Sequence, residues 1–312
     1  MKLMAKWGKH GRLLIGGVVV IVLLASVSFY GIFLYDPCSG QSIVPIVQSN
    51  KQSKPAYSLS LISKRGLVKT SIITTSSLPS SPVLIKSCSA VIYTLPVIQD
   101  KVAYSQIFRV ATTKNAIAEQ LTSEKKDHFT LSYDTQNDQI FYTQLDNGNQ
   151  SVAVMKNKKN APPKIIVEKG FDPSIVSKDQ IIYFAAYIEN GTSAIFKRAV
   201  SGGKEEKIID NSNFSYDSKP LVTPDNKSLL LQRTGSVANS STLNNLYFVD
   251  LSQSNKKAIL KFENAYIVSM KGNGEIVYVS GNDNPDEFIS SRMNGTKTRT
   301  LSQKIENNES KK

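Results

Sequence analysis

The stretch "DQIFYT" at residues 138–143 returns as "DQIIYF" at residues 179–184, 41 positions later. A polar turn residue followed by apolar, β-branched and aromatic positions is what a buried strand leaving a turn requires. The same opening recurs as "DKVAY" from Asp100, "KSLLL" from Lys227 and "GEIVY" from Gly274, at successive offsets of 38, 41, 48 and 47 residues. Five occurrences at a near-constant period mark a repeat, and each is followed by a polar turn and a second strand, such as "SVAVMK" from 151, "AIFKRA" from 194 and "LYFVDL" from 246. Helical spacing is confined to "AIAEQLTSEKK" near residue 116. Strands repeating every forty-odd residues between turns are the pattern of propeller blades.

Counting back one period from Asp100 reaches Leu59 in "YSLSLI", which predicts a further, degenerate blade. The sequence thus predicts an all-β propeller of about six four-stranded blades, within a range of five to seven, over residues 57–305. A charged tail, residues 306–312, follows.

Ahead of the repeats, residues 13–35 form an uncharged run of 23 residues. At about 1.5 Å per residue, a helix of that length spans the roughly 30 Å hydrocarbon layer. Lys2, Lys6, Lys9 and Arg12 precede it, whereas Asp36 follows and the next basic residue is Lys51. Basic flanks stay on the cytoplasmic side. The expectation is a cytoplasmic tail (1–12), a single transmembrane helix (13–35), an extracytoplasmic linker (36–56) and an exported propeller at the cell membrane. Cys38 and Cys88 both fall on the exported side, where a disulfide between them can persist.

The resemblance to a known family rests on the repeat turns. "KPLVTPDNKSLLLQRT" (219–234) resembles the Ser-Pro-Asp-Gly-Lys turn and following strand of TolB-type β-propeller repeats, with "DPSIVSKDQIIYF" from 172 and "VSMKGNGEIVYVSG" from 268 as weaker copies. The turn itself is Thr223, Pro224, Asp225, Asn226 and Lys227. Proline presets φ, and Asp225 with Asn226 tolerates the left-handed conformation that glycine otherwise supplies. The likeness spans about residues 100–301.

The catalytic inventory is thin. His10 lies in the predicted tail, which leaves His128, in "EKKDHFTL", as a residue expected in an exposed turn entering a strand. No glycine-rich phosphate loop occurs, and no histidine or cysteine pair has metal-ligand spacing, so neither cofactor nor metal is expected. Asp283, Asp286 and Glu287 form the densest acidic group but do not follow a calcium-loop pattern. No residue is assigned a catalytic role. The alternative is a glycan-cleaving enzyme with paired carboxylates at the propeller funnel.

The net charge is +13, and residues 37–99 contain no acidic residue. Lys51, Lys54, Lys64, Arg65 and Lys69 in that stretch are candidate contacts to an anionic surface. Nucleic acid is not expected, because the single tryptophan, Trp7, lies on the other side of the predicted span. The expected role is a platform that binds an envelope protein or an anionic envelope polymer.

Overall fold

The computed structural model describes residues 42–48, 56–62, 68–85, 88–113, 116–188, 192–209, 215–223, 225–235, 244–270, 275–280, 288–296 and 298–301. They form strands and turns, and no helix among them is long and apolar enough to cross a membrane. The predicted span at 13–35, Cys38 and the tail 306–312 lie outside the described residues.

The strands form six consecutive antiparallel meanders. The first comprises β1 (Ser42–Gln48), β2 (Ala56–Ile62) and β3 (Val68–Thr75), and the second β4 (Ser80–Ile85), β5 (Ala90–Gln99), β6 (Val102–Ala111) and β7 (Glu119–Gln120). The third is β8 (Asp127–Asp134), β9 (Gln139–Asp146), β10 (Asn149–Lys156) and β11 (Lys164–Glu168). The fourth is β12 (Gly170–Val176), β13 (Ile181–Tyr187), β14 (Ser193–Ala199) and β15 (Glu206–Lys207). The fifth contains β16 (Ser215–Val222), β17 (Ser228–Gly235), β18 (Asn244–Asp250) and β19 (Ile259–Phe262), and its sheet meets that of the fourth at the Ser193–Tyr216 bridge. The sixth is β20 (Ala265–Met270), β21 (Glu275–Ser280), β22 (Phe288–Arg292) and β23 (Arg299–Leu301).

The repeat reading needs one change of register. "DQIFY", "DQIIY", "KSLLL" and "GEIVY" each lead into the second strand of a blade, but "DKVAY" leads into β6, a third strand. Val102 there is 50% exposed, whereas Tyr93, one strand earlier, is fully buried. The true counterparts are Tyr93, Tyr142, Tyr183, Leu231 and Tyr278, all buried. Asp100 and Lys101 imitate the marker because they form a tight turn of their own. The helical reading near 116 also gives way, since β7 occupies Glu119–Gln120 and pairs with β6.

Blade one begins at Ser42, inside the stretch read as linker, and has three strands. Residues 76–79 link β3 to β4, a step comparable to those from a fourth strand to the next first strand, through Lys169 before β12 or residues 263–264 before β20. By that connection β3 ends on the face where first strands start, and β1 packs against β4 and β20, the first strands of blades two and six.

Apolar contact between blades holds the ring together. Phe141, Val152, Val154 and Val167 of blade three form one cluster with Ile182 and Phe184 of blade four. Gly170 opens β12 just after the one-residue link between these blades, where a Cβ would lie 2.7 Å from Val167 Cγ1 and 3.2 Å from Phe184. A side chain there would push this packed seam apart.

Candidate interaction face

Two backbone devices recur in blades two to five. The first strand carries a bulge just after its start, seen as register shifts between Ser80 and Val83, Phe129 and Ser132, Phe171 and Ser174, and Ser218 and Leu221. Within each bulge one non-glycine residue is left-handed: Ser81, Thr130, Asp172 and Lys219, at φ of 50°, 42°, 52° and 46°. The second device lies in the turn to the second strand, where Cys88, Asp138, Gln180 and Asn226 have φ of 66°, 51°, 50° and 58°. The two sets mark opposite faces of the ring, an entry face where first strands start and a turn face where they end.

A β-branched residue at positive φ is a steric outlier, and such conformations cost about 1–3 kcal/mol each. Hydrogen bonds between neighbouring blades hold them in place. The Thr130 amide donates to Ser81 Oγ at 3.2 Å, and Thr130 Oγ1 donates to Asp172 Oδ1 at 2.6 Å. The Lys219 amide donates to Asp172 Oδ2 at 3.0 Å, and the Asp172 amide to Thr143 Oγ1 at 2.8 Å. The four bulges thus form one chain of contacts across blades two to five. Below them, Ser132 Oγ accepts from the Ile175 amide at 3.0 Å and Ser174 Oγ from the Val222 amide at 3.3 Å. Diverging first strands cannot pair as a sheet, and these hydroxyls satisfy the amides left between them.

An aromatic group adjoins this chain. Phe171, next to Asp172, lies 5.0 Å from the ring of Tyr187 and 5.7 Å from that of Tyr216, with Tyr187 and Tyr216 6.1 Å apart. Phe171 is buried, Tyr216 is half-buried and Tyr187 is 47% exposed. Burial, followed by the hydrogen bond to Tyr187, raises the Tyr216 pKa and keeps its hydroxyl protonated. Beside it, Asp217 is buried and receives a bidentate pair from Arg233, Nε to Oδ1 at 2.6 Å and Nη2 to Oδ2 at 2.9 Å. The guanidinium also stacks 4.8 Å over Tyr247, so the floor beneath Tyr216 is fixed.

The turn face is polar. Asn226 adopts the predicted left-handed conformation and accepts a 2.7 Å hydrogen bond from Tyr183 of the preceding blade. Thr223 Oγ1 and the Lys227 amide both donate to Asp225 Oδ1, and the Thr223 bond leads in holding the Asp225 carboxyl below its usual range. Pro224 lies outside the described residues. Asp134 is buried; burial alone would raise its pKa, but hydrogen bonds from Gln180, Asn137 and the Gln136 amide bring it below normal. This set ties the turns of blades three and four. Cys88 is disulfide-bonded and lies on this face; Cys38, the other cysteine of the chain, is outside the described residues. Lys69 falls in β3, while Lys51, Lys54, Lys64 and Arg65 are outside the described residues, as are Asp283, Asp286 and Glu287.

His128 is not in an exposed turn. It is 1% exposed within β8, its Nδ1 2.9 Å from the Ser105 carbonyl and its ring 5.2 Å from that of Tyr142. Burial lowers its pKa, although the Ser105 bond and the nearby Glu124 and Asp127 carboxylates act in the opposite sense. The folded state therefore holds it neutral more strongly than the unfolded chain does. Stability is expected to fall as pH drops through about 6.5, the unfolded value, because protons bind preferentially to the unfolded state. His128→Asn, measured by thermal melting at pH 7.5 and 5.5, should flatten that dependence.

The fold matches solved propellers. TolB from Acinetobacter baumannii superposes with a TM-score of 0.64 at 14% identity over 87% of this chain, which spans 66% of that protein's length. The chain has the TolB-type β-propeller fold. A putative TolB from Agrobacterium tumefaciens gives 0.59 at 11% identity, covering 85% of this chain and 89% of that one. A chain of a nidogen–laminin complex gives 0.60 at 11% identity, covering 84% and 93%. No family model and no curated protein sequence matches. Among the described residues of this TolB-type propeller, no group of three or more histidine, cysteine, aspartate or glutamate residues is gathered as metal ligands. Of its four bulge residues one is a carboxylate, Asp172, and both its oxygens accept hydrogen bonds.

Sequence reasoning missed the bulge chain because its four positions carry four residue types. A serine stands two residues on in blades three and four, Ser132 and Ser174, but Val83 and Leu221 take that place in blades two and five.

Proposed function

We propose that this protein is a membrane-anchored, extracytoplasmic propeller whose entry face binds a partner protein of the cell envelope. The observation that carries the reading is Tyr187, a half-exposed aromatic packed on Phe171 and Tyr216 beside a strained, cross-bonded bulge chain. Rigid, partly exposed tyrosines backed by buried aromatics are the usual anchors of protein interfaces. The connection of β3 to β4 makes β1 start on the turn face. An anchor preceding β1 would leave the entry face directed away from the bilayer. The basic, acid-free stretch 37–99 would add a secondary contact to anionic polymer, one that salt weakens.

The test is affinity capture with the full-length chain from solubilised envelope, wild type against Tyr187→Ala. One protein partner retained at raised salt by the wild type, with about tenfold or greater loss for Tyr187→Ala, is the expected result. Recovery of anionic polymer alone, equal for both chains and released by salt, would overturn the reading.

A further inference from the structure

Blade two carries a feature that blades three and four lack. Strands β5 and β6 pair continuously over ten residues, from Ala90 with Ala111 to Gln99 with Val102. The first strand of the blade stops far short of that, since Ser80 at the start of β4 pairs with Thr94. Residues 95–99 and their partners therefore project past the entry face by five residues, about 17 Å at 3.4 Å per residue. In blade three Asp127 pairs with Leu145, and in blade four Gly170 pairs with Ala186, each within one residue of its hairpin end.

The arm is closed by a two-residue turn, Asp100 and Lys101, both left-handed at φ of 50° and 70°, as a tight hairpin requires. It is braced at its base. The Ser105 amide donates to Asp127 Oδ1 at 2.6 Å, and Gln106 Nε2 donates to the Glu124 and Lys126 carbonyls at 2.9 and 3.0 Å. At the tip, Lys125 pairs with Asp100 at 2.6 Å.

Its side chains do not suit a hairpin standing in water. Alternation places Pro96, Ile98 and Ala103 on one side and Leu95, Val97, Val102 and Tyr104 on the other. Ile98 is 77% and Val102 50% exposed, Pro96 and Ala103 are exposed, and Leu95, Val97 and Tyr104 are half-buried. A single exposed apolar residue is ordinary, but a rigid arm apolar on both sides is an interaction site.

We infer that the β5–β6 arm inserts into an apolar cleft of a partner protein, a cleft whose lip carries carboxylates. Both sides of the arm need cover, which a cleft supplies and a flat partner, or the same arm of a second copy laid against it, does not. The lip follows from charge. Lys101 sits at the tip without an ion pair among the described residues, and the chain leading into the arm has no acidic residue from 37 to 99. The inference rests on the platform reading above and assigns the arm as its second anchor, on a different blade from Tyr187.

Photo-crosslinking in the cells of origin tests it, with benzoylphenylalanine placed in the full-length chain at Ile98, Val102, Tyr187 or, as a control, Ile117, which is 93% exposed outside the arm. The expected result is one discrete protein adduct from 98 and 102 and none from 117. The partner peptide, sequenced by mass spectrometry, should be apolar with Asp or Glu within a few residues, and Lys101→Glu should lower the yield several-fold. Adducts of twice the chain's mass, lipid adducts only, equal yield from 117, or none from 98 and 102 would each overturn the arm assignment. An adduct from 187 alone leaves the platform reading standing while the arm falls, and silence at 187 with adducts at 98 does the reverse. Unchanged thermal melting confirms that each substituted chain is folded.

Discussion

Arg233→Ala is expected to destabilise the propeller by about 3–5 kcal/mol, the range for removing one partner of a buried ion pair. Asp217 is fully buried, and both carboxylate oxygens face the Arg233 guanidinium at 2.6 and 2.9 Å. With the arginine gone, a carboxylate must remain charged in a desolvated site or take up a proton, and each outcome is costly. The two residues are directly opposite on β16 and β17, so no backbone shift is needed to form the pair and none readily replaces it. Arg233→Lys should also lose stability, since a point charge does not reproduce the two-pronged contact or the stacking over Tyr247. A double replacement, Asp217→Asn with Arg233→Met, should cost less than Arg233→Ala, because neither partner is then left as an unpaired charge. Urea unfolding of the three variants decides the order.

Phe184→Ala should cost about 3–5 kcal/mol, the range for emptying a buried aromatic site. Phe184 is fully buried, stacks 6.0 Å from Phe196, and lies in the seam where blade three meets blade four. The seam has little capacity to collapse, because the link between the blades is a single residue, Lys169, at φ 58°. Domains are stable by about 5–15 kcal/mol, so a loss of this size at one seam consumes much of the total. Equilibrium unfolding should show the midpoint shift. A loss below 1 kcal/mol would mean that this seam does not hold the ring.

The fold was legible because a propeller writes itself as a repeat. Buried second strands need apolar and aromatic residues at fixed places, and Tyr142, Tyr183, Leu231 and Tyr278 meet that need within near-identical turns. The slip at Asp100 has the same physical origin, since any tight turn before apolar residues looks like a blade start. Once Tyr93 takes that place, the spacings become 49, 41, 48 and 47 residues, from 93 to 142, 183, 231 and 278. The candidate face was far less legible. Tyr187 and Tyr216 are separated by a strand pair and meet only when blades four and five are side by side, and the arm is visible only in its register against β4. His128 shows the limit in a single residue: its polar neighbours Lys125, Lys126 and Asp127 suggest an exposed turn, yet the chain turns it inward beneath Tyr142.

The most direct test of the central claim, that the entry face is the binding face, is hydrogen exchange of the full-length chain with and without its captured partner. The account predicts added protection in peptides covering 170–173, 185–188 and 215–219. Protection confined to the opposite turns, at 134–138, 177–180 and 225–227, would contradict it.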